Sequence, residues 1–179
     1  ITPPGPDGQI DDATLVAARM SGVSKVYKAG GAQGIAAVAY GTDTVPKCAK
    51  VVGPGSPWGG AAKRLLSHVL DTGTPAGPSE LIVFADETAD GRLAGLDLII
   101  ESEHGPDSSA FLVTWSRRVA EEALAAIPSF WSQMGDQRVA YSSAVLGGPL
   151  GGIVLARDED EAIAFTNDYA PEHLGVERV

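Results

Sequence analysis

The feature that most constrains the fold is an alternation of two kinds of segment along the chain. Short apolar segments typical of buried strands, such as residues 81–85 and 111–115, alternate with longer segments whose apolar residues recur with helical period, such as 90–103 and 116–127. A regular succession of strands and helices is typical of an α/β protein with a parallel sheet. We therefore predict an α/β fold with two incomplete Rossmann-like lobes and mainly parallel sheets.

Weaker signals extend this pattern to the rest of the chain. Helices are expected near residues 11–18, 32–40, 58–70 and 158–168, and short strands near 25–28, 50–52 and 153–156. Asp11 or Asp12 can cap the first of these helices, and Asp158 can cap the last. Residues 128–144 could be helical, and the four glycines and one proline within 147–152 indicate a loop.

A proline-rich stretch, residues 74–78 (TPAGP), is the best candidate for a boundary between two lobes. This divides the chain into a first lobe, residues 1–78, and a second lobe, residues 79–179. The chain opens with loop-type residues (ITPP) and stops soon after Glu172 and His173. We therefore expect a fragment of a longer protein.

Composition restricts the class of protein. With 179 residues, 44% of them hydrophobic, the chain can bury one ordinary core or two small ones. The net charge of -10 disfavours binding to nucleic acid backbones, and no apolar run approaches the roughly 20 residues of a membrane helix. The lone Cys48 excludes an internal disulfide framework, and no segment resembles a signal peptide. We expect a cytoplasmic protein whose partners are small molecules.

Two glycine-rich turns could hold a dinucleotide. Residues 28–34 (KAGGAQG) and 52–57 (VGPGSP) each lie where a strand is expected to lead into a helix, and backbone N–H groups there can approach a phosphate. The full dinucleotide fingerprint needs a glycine in place of Ala29, and a tight turn requires glycines in any case. Ser56 could donate to a ligand or cap its helix. Taken alone, turn formation and capping are the simpler interpretations.

The run 101–107 (ESEHGPD) carries a metal-type pair. Glu101 and His104 lie three residues apart on a predicted helix, so their side chains point the same way. Zinc accepts both donor types, but it needs four donors and this pair supplies two. A helix end stopped by Gly105 and Pro106, with His104 near the negative end of the helix dipole, explains the same residues. Without other information the helix end is the simpler interpretation.

Glu172 and His173 are adjacent groups that could act as general bases, a carboxylate for water and an imidazole near neutral pH. Adjacent pairs of this kind are common on protein surfaces, so the pair alone indicates no catalysis. His68 is interpreted as a partly exposed helix residue and Cys48 as a small buried side chain. The three tryptophans, Trp58, Trp115 and Trp131, are interpreted as residues that pack in the core or between the lobes.

Six segments, taken together and in order, resemble the histidinol dehydrogenase family. They are residues 30–33 (GGAQ), 44–47 (TVPK), 53–55 (GPG), 75–80 (PAGPSE), 103–108 (EHGPDS) and 171–174 (PEHL). The resemblance spans nearly the whole chain, and 75–80 and 103–108 are its most diagnostic segments. It implies an enzyme of histidine biosynthesis, a zinc-dependent, NAD-dependent homodimer, which oxidises L-histidinol through a bound aldehyde to L-histidine.

The resemblance also implies roles for particular residues. Gln33 is similar in position to a residue that contacts NAD, and Ser79 to one that contacts substrate. His104 is similar to a zinc ligand that also touches substrate, and Glu172 and His173 to the catalytic pair. In the family the histidine accepts the proton of the alcohol, and the glutamate activates the water that attacks the aldehyde.

Three departures from the family pattern leave the substrate open. Glu101 stands where a glutamine usually ligates zinc and meets substrate, and Ser56 stands in place of an asparagine at the NAD-contacting turn. The segment before Ser79 is also a few residues shorter than usual. A paralogue that acts on another polar alcohol or a sulfonated diol is therefore an alternative, as is a noncatalytic binding module. The family's remaining zinc ligands, an aspartate and a histidine, have no counterpart in this chain, so we expect an incomplete zinc site.

Overall fold

The computed structural model describes residues 1–73 and 78–178, and the chain divides into two compact units, Ile1–Gly77 and Pro78–Val179. The predicted boundary segment, residues 74–78, lies outside the described residues except for Pro78. Among the described residues no helix is both long enough and apolar enough to cross a membrane.

The first unit contains three helices: α1 (Asp12–Met20), α2 (Gly31–Tyr40) and α3 (Pro57–Leu65). Asp11 caps α1, as predicted, because its carboxylate accepts a hydrogen bond from the Thr14 amide at 3.0 Å. A hydrophobic cluster of this unit is formed by the buried residues Val38, Ala39, Val45 and Leu70.

The predicted short strands of the first unit are not formed as strands in its described part. The segments near 25–28 and 50–52 each contribute one isolated parallel bridge, Thr2 to Lys28 and Lys50 to Asp71. An ion pair of 2.9 Å between Lys50 and Asp71 accompanies the second bridge. A strand needs a partner of similar length to satisfy its backbone groups, and the pairing here ends after one residue.

The second unit is built on a parallel sheet of four strands. These are β1 (Glu80–Ala85), β2 (Ser109–Thr114), β3 (Gly151–Leu155) and β4 (His173–Glu177), in the order β3-β2-β1-β4. All three pairings are parallel. The predicted α/β class is confirmed, and this unit carries the predicted parallel sheet.

Helices cover both faces of this sheet. On one face, α4 (Gly91–Ser102), α5 (Arg117–Trp131) and α6 (Asp136–Leu146) pack Leu98, Val119 and Val145 against Val83 and Leu112. On the other face, α7 (Glu159–Tyr169) packs against the alternate strand positions. This second set comprises Ala162 and Phe165 of the helix with Ile82, Val113 and Phe111 of the strands. Strand residues alternate between the two faces, as the twofold periodicity of a strand requires.

Three elements of the second unit differ from the prediction. Helix α5 continues past Pro128 to Trp131, although proline cannot donate to the carbonyl four residues earlier. Strand β3 begins within the glycine-rich stretch predicted as a loop, because Gly151 and Gly152 pair with Ala110 and Phe111. Strand β4 was not predicted from the sequence.

Candidate functional site

The residues singled out in the second unit lie toward one edge of the sheet. Ser79 directly precedes β1, and Glu172 and His173 lie at the start of β4. Glu101 and His104 lie at the end of α4, which returns the chain to the start of β2. The strands are parallel, so all five residues belong to the amino-terminal edge of the sheet. The structure therefore brings the predicted substrate, metal and catalytic residues to the same side of this unit.

Local capping and length explain why α4 delivers its residues to this edge. The helix begins at the opposite edge, where the Asp90 carboxylate accepts hydrogen bonds from the amides of Arg92 (2.8 Å) and Leu93 (3.3 Å). Its 12 residues span about 18 Å. A six-residue strand such as β1 spans about 20 Å, so the helix crosses the whole sheet before it ends.

The Glu101–His104 pair places two possible metal donors near each other at the end of α4. The His104 Nδ1 atom lies 3.1 Å from the backbone oxygen of Glu101 and 3.9 Å from its Oε1 atom. An Nδ1–H that donates to this carbonyl leaves Nε2 free to bind a metal. The Glu101 side chain is only 13% exposed, and its Oε1 atom is buried without a hydrogen-bond partner among the described residues.

The helix-end interpretation of the same residues is also consistent with the structure. Helix α4 ends at Ser102, and the His104 amide donates to the Glu101 carbonyl at 3.2 Å. Capping alone, however, gives no partner to the buried oxygen of Glu101. Buried polar atoms are rarely left unpaired in native proteins, so this atom fits a cation ligand better than a purely structural side chain.

A network that sequence reasoning missed holds the end of α4 in place. The Ser102 and Ser142 hydroxyls are 2.7 Å apart in the interior, and Trp131 Nε1 donates to Ser142 at 2.9 Å. The Arg138 guanidinium donates to the Glu103 carbonyl at 2.9 Å. Helices α5 and α6 thus fix the turn that carries the metal-type pair.

The Glu172–His173 pair is open to solvent. The two side chains are 55% and 58% exposed, and Glu172 Oε2 lies 3.9 Å from His173 Nε2. His173 pairs with Leu81 of β1, so its backbone is held by the sheet. Both side chains can therefore reach a substrate outside this edge.

The predicted NAD residues lie in the first unit, each in the first turn or at the cap of a helix. Gln33 is exposed in the first turn of α2, and the N-cap of that helix, Gly30, supplies no side-chain hydrogen bond. Ser56 caps α3, because its hydroxyl oxygen accepts a hydrogen bond from the Gly59 amide at 3.4 Å. The capping interpretation of Ser56 is thus observed, and its hydroxyl hydrogen is still able to donate. Trp58 is 76% exposed, so it does not belong to the buried core of the first unit.

The carboxyl-terminal edge of the sheet holds a cluster of charges that the sequence did not indicate. Hydrogen bonds from Thr88, together with Arg178 at 3.1 Å, lower the pKa of Asp86. Burial raises the pKa of Glu177 to about 7, and the carboxylates of Asp97 and Asp90 add to this effect. In doubly wound sheets ligands often bind at this edge, but here the singled-out residues lie at the opposite one.

Among the described residues, no three His, Cys, Asp or Glu side chains are grouped so that they could hold a metal ion. Glu101 and His104 supply two donors of types that zinc accepts, and a closed or catalytic zinc site uses three or four protein ligands. The residues present therefore fit part of a zinc site.

Comparison with known proteins gives consistent matches over nearly the whole chain. A family model described as histidinol dehydrogenase matches residues 1–178. A histidinol dehydrogenase homolog of Cereibacter sphaeroides is 66% identical over 175 residues, and a histidinol dehydrogenase of Synechocystis is 52% identical over 175 residues. Each match covers 98% of this chain and 40% of the relative.

A solved structure is also similar. The crystal structure of histidinol dehydrogenase from Elizabethkingia anophelis matches with a TM-score of 0.80 and 37% sequence identity. The match covers 97% of this chain and 40% of that one. The chain thus spans about 40% of the length of the relatives it matches.

Proposed function

The chain belongs to the histidinol dehydrogenase family, and on this premise we propose that it is part of a zinc-dependent, NAD-dependent dehydrogenase. The full-length enzyme oxidises a primary alcohol through an aldehyde to a carboxylic acid. The observation that carries this proposal is the buried, unpaired oxygen of Glu101 beside His104. Glu101 lies toward the sheet edge where His173 begins β4 and Glu172 directly precedes it.

In this proposal Glu101 and His104 hold zinc together with ligands from outside this chain. An ionised carboxylate that is buried without a partner is unfavourable, and a bound cation offsets that cost. Bound zinc supplies a Lewis acid that holds and polarises the substrate hydroxyl. Glu101 and His104 then also contact the substrate. Ser79, which directly precedes β1, adds a hydrogen bond to the substrate.

The two half-reactions need two different proton acceptors. In the first, the His173 imidazole accepts the proton of the alcohol while the carbon loses a hydride, which gives the aldehyde. In the second, the Glu172 carboxylate accepts a proton from the water that adds to the aldehyde, and the hydrate loses the second hydride to give the acid. NAD, when bound, would supply the hydride acceptor, with one NAD molecule used in each half-reaction. Gln33 and Ser56, in the first unit, are the proposed NAD contacts.

The substrate is L-histidinol or another polar alcohol, including a sulfonated diol. Relatives named histidinol dehydrogenase homolog are 63–66% identical to this chain, and those named histidinol dehydrogenase are 42–52% identical. Glu101 adds a negative charge beside the proposed substrate site. Both observations favour the paralogue over an enzyme restricted to histidinol.

The test uses a full-length form of the protein. Its zinc content, its mass in solution and its NADH formation are measured with L-histidinol and with a panel of polar and sulfonated diols. We expect a homodimer, zinc-dependent turnover, and two NADH formed per alcohol consumed. No zinc-dependent turnover of any alcohol would overturn the proposal. Failure to bind either NAD or zinc in calorimetric titration would establish the noncatalytic module instead.

A further inference from the structure

We propose that Tyr169 and Ser109 form a hydroxyl clamp that positions the catalytic pair Glu172 and His173. The inference rests on the function proposed above, and it assigns two positioning residues that do not themselves meet the substrate. The clamp is the hydrogen bond between the Tyr169 and Ser109 hydroxyls, which joins residues 60 positions apart in the sequence.

The first step is the placement of Tyr169. It is the last residue of α7, and its hydroxyl bonds to Ser109 at the first position of β2. Its ring contacts Phe111 edge-on, with centroids 5.4 Å apart, and stacks on Phe165 at 6.3 Å. The Tyr169 ring thus holds the end of α7 on the sheet, and the Tyr169 hydroxyl fixes the position of this helix end along β2.

The second step is the placement of Ser109 among the other site segments. Its amide donates to the Ser79 carbonyl at 3.0 Å, and it pairs with Glu80 of β1. It also follows directly on Ser108, whose amide closes the turn after His104 by donating to the Gly105 carbonyl at 3.1 Å. Ser109 therefore connects the proposed substrate residue with the end of α7.

The third step is the short connection from the clamp to the catalytic pair. Ala170 ends α7 in the left-handed conformation, with φ of 53°, and is the single non-glycine residue with positive φ among residues 1–73 and 78–178. Pro171 follows, and its ring fixes φ. These two constrained residues leave the chain little freedom between Tyr169 and Glu172. A displacement of the Tyr169 end of α7 is therefore passed on to the pair.

The last step concerns what else holds the pair. Both side chains are more than half exposed, and their closest described ionic contact is the 3.9 Å approach to each other. Packing therefore contributes little to their orientation, which depends on the backbone between the clamp and β4. Misplacement of a catalytic group by about 1 Å can slow a reaction by about a hundredfold.

The experiment compares Tyr169→Phe, Ser109→Ala and the double variant in the full-length enzyme. Tyr169→Phe keeps the ring contacts and removes the hydroxyl. We expect kcat to fall about tenfold in each single variant while KM changes less than about twofold, with no further loss in the double variant. Ser109→Thr keeps a hydroxyl and should recover most of kcat. Tyr141→Phe, which removes a tyrosine hydroxyl bonded to Gln137 on α6, is the matched control and should leave kcat unchanged.

Two results would overturn the clamp. One is an unchanged kcat in Tyr169→Phe, and the other is a loss in the double variant equal to the product of the single losses. If the wild-type enzyme oxidises no alcohol, the proposed function itself has failed. Amide hydrogen exchange then tests whether the clamp holds the start of β4. We expect the His173 amide to exchange at least about tenfold faster in Tyr169→Phe than in Tyr141→Phe. Equal exchange in the two variants would reject the clamp independently of activity.

Discussion

At the scale of single residues, the main evidence for a site is a polar atom that is buried without a hydrogen-bond partner. The Oε1 atom of Glu101 is buried without a hydrogen-bond partner among the described residues, and it is held beside an imidazole rather than an ammonium or guanidinium. The i, i+3 spacing of Glu101 and His104 could be recognised in the sequence. The burial of the Glu101 Oε1 atom could not, because it depends on tertiary packing that the local sequence does not specify.

Substitution of Glu101 tests its direct role in zinc binding. In the full-length enzyme Glu101→Gln replaces the carboxylate with an amide that still offers an oxygen donor, so it should retain zinc. Glu101→Ala removes the donor and should weaken zinc binding at least about tenfold. In zinc-free protein Glu101→Gln should be more stable than wild type, because it removes the charge from a carboxylate whose Oε1 atom is buried without a hydrogen-bond partner among the described residues. Metal analysis after dialysis and urea unfolding provide the two measurements. Unchanged zinc content in Glu101→Ala would rule out direct ligation.

Separate substitutions of Glu172 and His173, the proposed catalytic pair, test which residue acts in each half-reaction. His173→Asn should slow alcohol oxidation by about a hundredfold or more and affect aldehyde oxidation less, because hydration of the aldehyde depends on Glu172. Glu172→Gln should show the opposite bias, since an amide is a poor base. NADH formation is measured with alcohol and aldehyde supplied separately to each variant. Equal impairment of both substrates by both variants would contradict the assignment and indicate that the pair acts as one unit.

At the scale of elements, helix α4 couples the core to the site. It packs against α5 so closely that a Cβ atom at Gly95 would lie 2.9 Å from the Ala123 carbonyl oxygen, and one at Gly91 2.5 Å from Glu122 Cβ. The extent of α4 could be predicted from sequence because Asp90 caps it and Gly105 and Pro106 follow its end. Strand β4 could not, because its sequence, HLGVE, contains a glycine and its two apolar side chains are exposed.

Substitution of Gly95 tests this close packing. Gly95→Ala should destabilise the second unit by about 1–3 kcal/mol, the usual cost of overpacking, because the contacted atom is backbone and cannot move aside easily. Gly60→Ala in α3 is the matched control, since nothing lies within 4 Å of its added Cβ. It should stabilise the first unit by about 0.5–1 kcal/mol. Urea unfolding followed by circular dichroism measures both. Stabilisation by Gly95→Ala would show that α4 and α5 separate readily.

At the scale of the whole molecule, the long-range arrangement was the part that the sequence could not predict. The α/β class follows from local periodicity. The sheet order β3-β2-β1-β4 places β1, which Ser79 directly precedes, beside β4, which His173 begins, although the two residues are far apart in sequence. The first unit shows the limit of local signals, since two segments with strand-like sequences form single bridges in its described part. A strand depends on partners that a local pattern does not specify.

The carboxylates at the carboxyl-terminal edge of the sheet predict how the stability of the whole molecule depends on pH. Burial, with Asp97 and Asp90, raises the pKa of Glu177 to about 7 in the folded protein, above its ordinary value of 4.5. Between these two pH values the folded state binds more protons than the unfolded state, so the free energy of unfolding from this group falls as pH rises. Its contribution is complete below about pH 4.5 and lost above about pH 7. Because Glu177 is only partly buried, solvent screening limits the effect to about 1 kcal/mol.

Glu177→Gln should therefore remove this pH dependence and unfold at higher urea concentration than wild type at pH 8, with little difference at pH 4.5. Asp97→Asn should act in the same direction, because it removes the carboxylate that, after burial, contributes most to the raised pKa of Glu177. Arg178, the neighbouring cation, is engaged by Asp86 at 3.1 Å and Glu159 at 3.7 Å and is left intact in both variants. Glu121→Gln, on the exposed face of α5, is the control and should keep the wild-type slope. The prediction would be contradicted if the free energy of unfolding of the wild type stayed constant or rose between pH 4.5 and 7, and if Glu177→Gln showed the same pH dependence. Glu177 would then ionise normally in the folded protein.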